Sequence, residues 1–174
     1  GFNRGRTAVE AARPHARTMQ SLRQIVVATD FSPGAECAVE AAIALANLGH
    51  ARVTLVHVCE LGIELVVAEA LATPAFDAEL MRVCDERVRV AAEQHARKGV
   101  ALTPLLRCGK PWEKINNVAT EVGASLIVIG RNGAGAAGAA ERGGVATRVL
   151  RTATRPVLVV GPAAVAMYAA SEAV

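Results

Sequence analysis

The 174-residue sequence predicts an α/β protein, a single open five-stranded parallel sheet with helices on both faces. Three observations predict it. Short runs built almost wholly of aliphatics alternate with longer segments whose apolar residues recur at helical spacing, in the order βαβαβαβαβ. Those runs lack the polar/apolar alternation of a half-exposed sheet, which marks strands covered on both faces and joined by right-handed crossovers. The fourth run ends in a loop of glycine and alanine that opens into a helix, an arrangement in which α/β folds hold ligands.

Each element follows from its own residues. Residues 1–23 carry Arg4, Arg6, Arg13, Arg17 and Arg23 against the single acid Glu10, and Pro14 interrupts any helix, so a disordered basic arm is expected. Met19 lies shortly before the first strand, and residues 1–18 are read as vector-derived or upstream sequence. Gln24–Thr29 is the first strand. Asp30-Phe31-Ser32-Pro33 turns the chain, with Ser32 as N-cap and Pro33 at the first helical position of a helix over 35–48, closed by Gly49. Asp30 reads either as a second polar residue of that turn or as a ligand contact at the carboxyl end of a central strand.

Residues 52–58 form the second strand, followed by a connector over 59–77 that holds Ile63, Leu65, Val66, Val67 and Leu71 and breaks at Pro74. A short helix, a lid and an interface patch all remain open for it. Helix two presents Leu80, Cys84, Val88, Ala91 and His95 at helical spacing and ends at Lys98-Gly99, with His95 at the rim of the core. Strand three covers 100–107, and Pro104 inside it favours a sheet edge. Gly109-Lys110-Pro111 leads into helix three, whose buried stripe is Ile115, Val118, Ala119 and Val122, with Trp112 as a packing residue and Gly123 as the stop. Beyond the glycine loop Val145, Val149 and Ala153 share a helix face, and Pro156 opens strand five, Val157–Val160. An Ala-rich tail of open role occupies 163–174.

The segment 130–144 contains six glycines and five alanines among its fifteen residues, which by itself suits a low-complexity connector. Its place between a buried strand and its helix argues instead for a loop that binds or closes over something. A helix start offers unpaired N–H groups and a positive dipole end, and glycines let backbone wrap an anion, so phosphate is the natural guest. Neither familiar phosphate motif applies. Residues 133–138 spell the dinucleotide fingerprint but lie well past their strand, with no acidic residue beyond them placed to hold a ribose. A P-loop needs Lys and then Ser or Thr after its glycines, whereas this helix is entered through Gly143, Gly144 and Val145. With so few side chains to pack, 131–143 is expected to be the most mobile internal segment of the ligand-free protein.

Composition removes other classes of function. Aromatics make up 3% of the chain against 52% hydrophobic residues, too few rings for a single-stranded nucleic-acid platform, and a net charge of +3 is too mild to imply DNA or RNA. Cys37, Cys59, Cys84 and Cys108 show no C-x-x-C pair, so buried thiols in a reducing cytoplasm are expected, without metal. No apolar run approaches the length that spans a bilayer, and no secretory leader is read, so a cytoplasmic protein without membrane partners is expected. No Ser/His/Asp set or carboxylate pair emerges, which leaves an enzyme, at most a slow ATPase, as the least favoured reading.

Asp30-x-Ser32 after the first strand, Gly109-x-Pro111 before the third helix, and above all Gly130-x-x-Gly133, nine residues and Gly143, followed by a helix and Arg155-Pro156-Val-Leu-Val-Val, resemble the universal stress protein family. The resemblance covers 24–162. It implies a Rossmann-like fold of the adenine nucleotide alpha hydrolase type, strand order 3-2-1-4-5, with ATP, alone or with Mg²⁺, at the switch point between strands one and four. Carried over by motif, Ala28, Thr29 and Asp30 meet adenine and ribose and Val58 flanks the base. Gly130, Asn132, Gly133, Gly143, Gly144 and Val145 surround the phosphates, and Ile129 completes the set. Nucleotide-binding members usually carry Ser or Thr where Gly144 stands, so a hydroxyl contact to phosphate is lost, at a cost of about 0.5–1.5 kcal/mol. The expected role is a nucleotide-responsive stress or signalling protein with an unknown protein partner. The alternative is a member that binds no nucleotide and acts through its surface. An edge strand as apolar as the fifth invites pairing with its own copy, and the resemblance likewise implies a homodimer.

Overall fold

A computed structural model of the chain describes residues 22–60, 74–96, 99–133 and 144–161. The elements are β1 (Gln24–Thr29), α1 (Pro33–Gly49), β2 (Arg52–Cys59), α2 (Pro74–Ala96), β3 (Leu102–Cys108), α3 (Pro111–Glu121), β4 (Leu126–Gly130), α4 (Val145–Thr152) and β5 (Val157–Val160). All neighbouring strands are parallel and the sheet order is β3-β2-β1-β4-β5, so β1 is central and β3, with Pro104, lies on an edge as expected. The order reverses between β1 and β4, and there a crevice must open, because the crossovers leaving these two strands depart to opposite faces.

Alternation along β1 divides the core into two layers. Ile25 and Val27 face α1 and α2, in a cluster with Ala38, Ala42, Leu55, Val88 and Ala92. Val26 and Ala28 face α3 and α4, packed with Ile115, Val118, Ala119 and Val149. Every residue of β1 is buried, as a strand covered on both faces must be. Small alanines of α1 let that helix lie close on the sheet.

Local chemistry sets most of the boundaries. Ser32 caps α1 by accepting a hydrogen bond from the Ala35 N–H at 3.2 Å, ahead of Pro33. That helix runs through Gly49, and the left-handed cap falls on His50 at φ 50°. Its N–H is satisfied by the Ala46 carbonyl, which offsets the strain of a side chain at positive φ. Pro74, expected as a break, is the first residue of α2, where a missing N–H costs nothing. Ala153 lies just past α4 in extended conformation, so that helix buries Val149 alone, and Val145 remains partly exposed. Leu22 packs on the core, and the Arg23 carbonyl accepts from the Arg52 N–H at 3.0 Å. The basic arm up to residue 21, the apolar cluster of the 59–77 connector, the glycine loop from 134 to 143 and the tail lie outside the described residues. No helix among the described residues is long and apolar enough to cross a membrane.

Candidate functional site

At the carboxyl ends of β1 and β4 the backbones of two elements nearly touch. A Cβ on Gly130 would run into the Gly34 carbonyl, and one on Gly34 would run into the carbonyl of Asn132. Glycine at both positions therefore lets the start of α1 slide under the segment leaving β4. Gly133 rests against the Asp30 carboxylate in the same way, since a Cβ there would stand 2.5 Å from Asp30 Oδ2. The segment 130–133 lines one wall of an open crevice.

Across that crevice the turn after β1 is held in a strained form. Phe31 has φ 62°, an uncommon conformation for a bulky residue and one that clusters at functional sites. The Thr29 hydroxyl accepts from the Phe31 N–H at 3.0 Å, and Asp30 Oδ1 accepts from the Ser32 N–H at 3.0 Å. His57 donates from Nδ1 to the Thr29 carbonyl at 2.8 Å, which fixes its tautomer, and its ring lies 4.6 Å from that of Phe31. The Arg87 guanidinium lies over the Phe31 ring at 4.1 Å from its centre, so α2 helps hold the turn.

The third wall is α4. Its seat is set by Trp112 of α3, on which the Arg148 guanidinium stacks at 4.1 Å, and by a 2.8 Å hydrogen bond from Asn116 Nδ2 to Thr152 Oγ1. This aims the helix N-terminus into the crevice. Gly144 is the N-cap and supplies no side-chain cap, and no acidic residue occupies the first turn. The first N–H groups of α4, which have no partner within the helix, therefore face the cavity together with the positive end of the helix dipole.

These walls enclose a cavity of about 680 Å³, within the size range of small-molecule sites. Of the residues expected from sequence, Ala28, Thr29, Asp30, Val58, Ile129, Gly130, Asn132, Gly133, Gly144 and Val145 all line it. Gly143 lies outside the described residues. Sequence reasoning missed Glu60, Arg131 and Thr147, which also line the cavity. Glu60 and Arg131 each follow directly on a strand that ends at the crevice, and that position was the available signal. Thr147 sits in the first turn of α4, two residues past Val145. The lining is mixed in charge: Asp30 and Glu60 follow β1 and β2, while Arg131 and the first turn of α4 follow β4.

Residues 21–161 match the universal stress protein family. The chain belongs to that family. A universal stress protein of Thermus aquaticus is 35% identical over 139 residues, which cover 79% of this chain and 98% of the relative. Among solved structures, a universal stress protein of Burkholderia pseudomallei superposes with a TM-score of 0.60 at 32% identity, covering 82% of this chain and 97% of the other. The universal stress protein of Archaeoglobus fulgidus in complex with dAMP superposes with a TM-score of 0.58 at 26% identity, covering 80% and 98%. The five-stranded sheet and its helices are thus the universal stress protein fold, and one structural relative was captured with an adenine nucleotide.

Proposed function

We propose that this universal stress protein binds an adenine nucleotide, ATP in the first instance, in the crevice between β1 and β4, and acts as a nucleotide-responsive stress or signalling protein. The mixed lining of the cavity carries this reading. A nucleotide presents an apolar base with polar edges, a hydroxylated sugar and an anionic chain, and the walls offer a complement to each. Ala28 and Val58 offer apolar surface for the base, Asp30 an acceptor for ribose hydroxyls, and the backbone at Gly130, Asn132, Gly133, Gly144 and Val145 N–H groups for phosphates. The dAMP complex of the Archaeoglobus fulgidus relative supports the same ligand class. Mg²⁺ would arrive with the phosphates, since no three His, Cys, Asp or Glu side chains gather into a metal site among the described residues. Mass spectrometry of small molecules released from the purified protein tests the proposal. An adenine nucleotide in the released fraction is expected; protein that yields none, and that takes up none when incubated with ATP, would overturn it.

One observation favours the alternative, a member that acts through its surface alone. Gly144 brings no hydroxyl to the helix start. Thr147, on the same first turn and also lining the cavity, brings a hydroxyl-bearing side chain that offsets this. We also read the chain as a homodimer through β5, because this edge strand leaves Leu158 37% exposed. Apolar edges of this kind are ordinarily covered.

A further inference from the structure

Three cysteines and a methionine meet behind the cavity, on the layer between the sheet and α2. Cys59 ends β2, and its register partner on β3 is Cys108. The Cys59 Sγ lies 3.3 Å from the Sγ of Cys84 on α2, while the Cys108 thiol is directed at the Met81 Sδ, 3.2 Å away. Four sulfurs thus form two contacts, and only the first joins thiol to thiol. The geometry points to a reversible disulfide between Cys59 and Cys84 that ties α2 to the end of β2.

The distance leaves on the order of 1 Å to close, within reach of side-chain rotation. Access is asymmetric: Cys59 is buried and Cys84 half-buried. Burial, and after it the hydrogen bond with Cys84, pushes the Cys59 thiol up to about 12, so Cys59 is poorly suited to attack first. The thiolate of Cys84 attacks one sulfur of a small-molecule disulfide and releases one thiol. Cys59 then attacks the Cys84 sulfur of that mixed disulfide, and its proton passes to the second departing thiolate. Two protein thiols are oxidised to one disulfide, and the small disulfide is reduced to two thiols. The bridge stands between Val58 and Glu60, both on the cavity wall, and Cys84 precedes Arg87, which covers Phe31, by one helical turn. The inference does not depend on which ligand the cavity takes.

The test uses the full chain, reduced, freed of reductant and incubated with oxidised glutathione before quenching with N-ethylmaleimide. Intact mass and peptide mapping then count and place the thiols. Expected are the loss of two of the four alkylatable thiols, a linked pair of peptides carrying Cys59 and Cys84 within one chain, and recovery of all four thiols with reductant. Cys108→Ser should retain the bridge. Four alkylated thiols, mixed disulfides alone, or a linked pair that contains Cys37 or Cys108 would each overturn the assignment.

Discussion

At Gly144 the backbone has φ −52° and ψ 169°, and none of the described residues stands within 4 Å of where a Cβ would be, so serine suits this position. An N-cap serine can accept from a first-turn N–H while its own proton points into the cavity. Gly144→Ser should therefore tighten ATP by up to about tenfold, the equivalent of one good hydrogen bond, as read by calorimetric titration. Unchanged affinity would place the phosphates elsewhere. Cys59 yields a second prediction at this scale. Its thiol titrates at about 12 in the fold against 9.0 ordinarily, so the unfolded chain sheds a proton that the folded protein keeps. Stability should be unaffected at pH 7 and fall as pH rises from about 9 toward 12. Urea midpoints measured across that range should show the loss in the parent and lack it in Cys59→Ser; parallel curves would contradict it. Asp30 was legible as a residue at the carboxyl end of a central strand, whereas Val58 and the glycines were reached through family resemblance, and all of those described line the cavity. Gly34 was not, since nothing in a run of helix-start residues marks the one that meets a carbonyl from a strand far along the chain.

Elements were legible where a local rule decides them and blurred where tertiary packing does. Ser32 and Pro33 fix the start of α1 from within their own sequence. The cap at His50 was not legible, because glycine is the usual left-handed residue and Gly49 stood next to it. Helix α4 read as longer than it is, since Ala153 keeps the helical spacing but turns toward β5 and packs on the second core layer in extended form. The contact that positions the site lies between elements. In Gly34→Ala the methyl would meet the Asn132 carbonyl, and that backbone is anchored next door by the Arg131 N–H, which donates to the Val160 carbonyl at 2.7 Å. Little can give way. We expect a destabilisation of about 1–3 kcal/mol, seen as a lower urea midpoint with unchanged slope, together with weaker ATP binding. A variant as stable as the parent would mean that α1 and the β4 segment are not closely apposed.

For the whole molecule, alternation of element types predicted the fold class, while the strand order followed from family resemblance to the glycine spacing. Local residues carry little information on which strand lies beside which. The sheet confirms that order and with it the crevice between β1 and β4. Assembly is a prediction at this scale. If β5 pairs with its own copy, Leu158→Lys should convert a dimeric mass into a monomeric one by light scattering at micromolar concentration. A parent that is already monomeric would remove the dimer. The claim on which the rest depends is that the crevice takes an adenine nucleotide with its phosphates on the α4 N-terminus. Calorimetric titration of the parent, Asp30→Ala and Gly133→Val with ATP tests it most directly. The account predicts saturable binding by the parent, weaker binding by Asp30→Ala, and little or none by Gly133→Val, whose side chain would collide with the Asp30 carboxylate. A parent that ignores millimolar ATP, or three proteins of equal affinity, would contradict it.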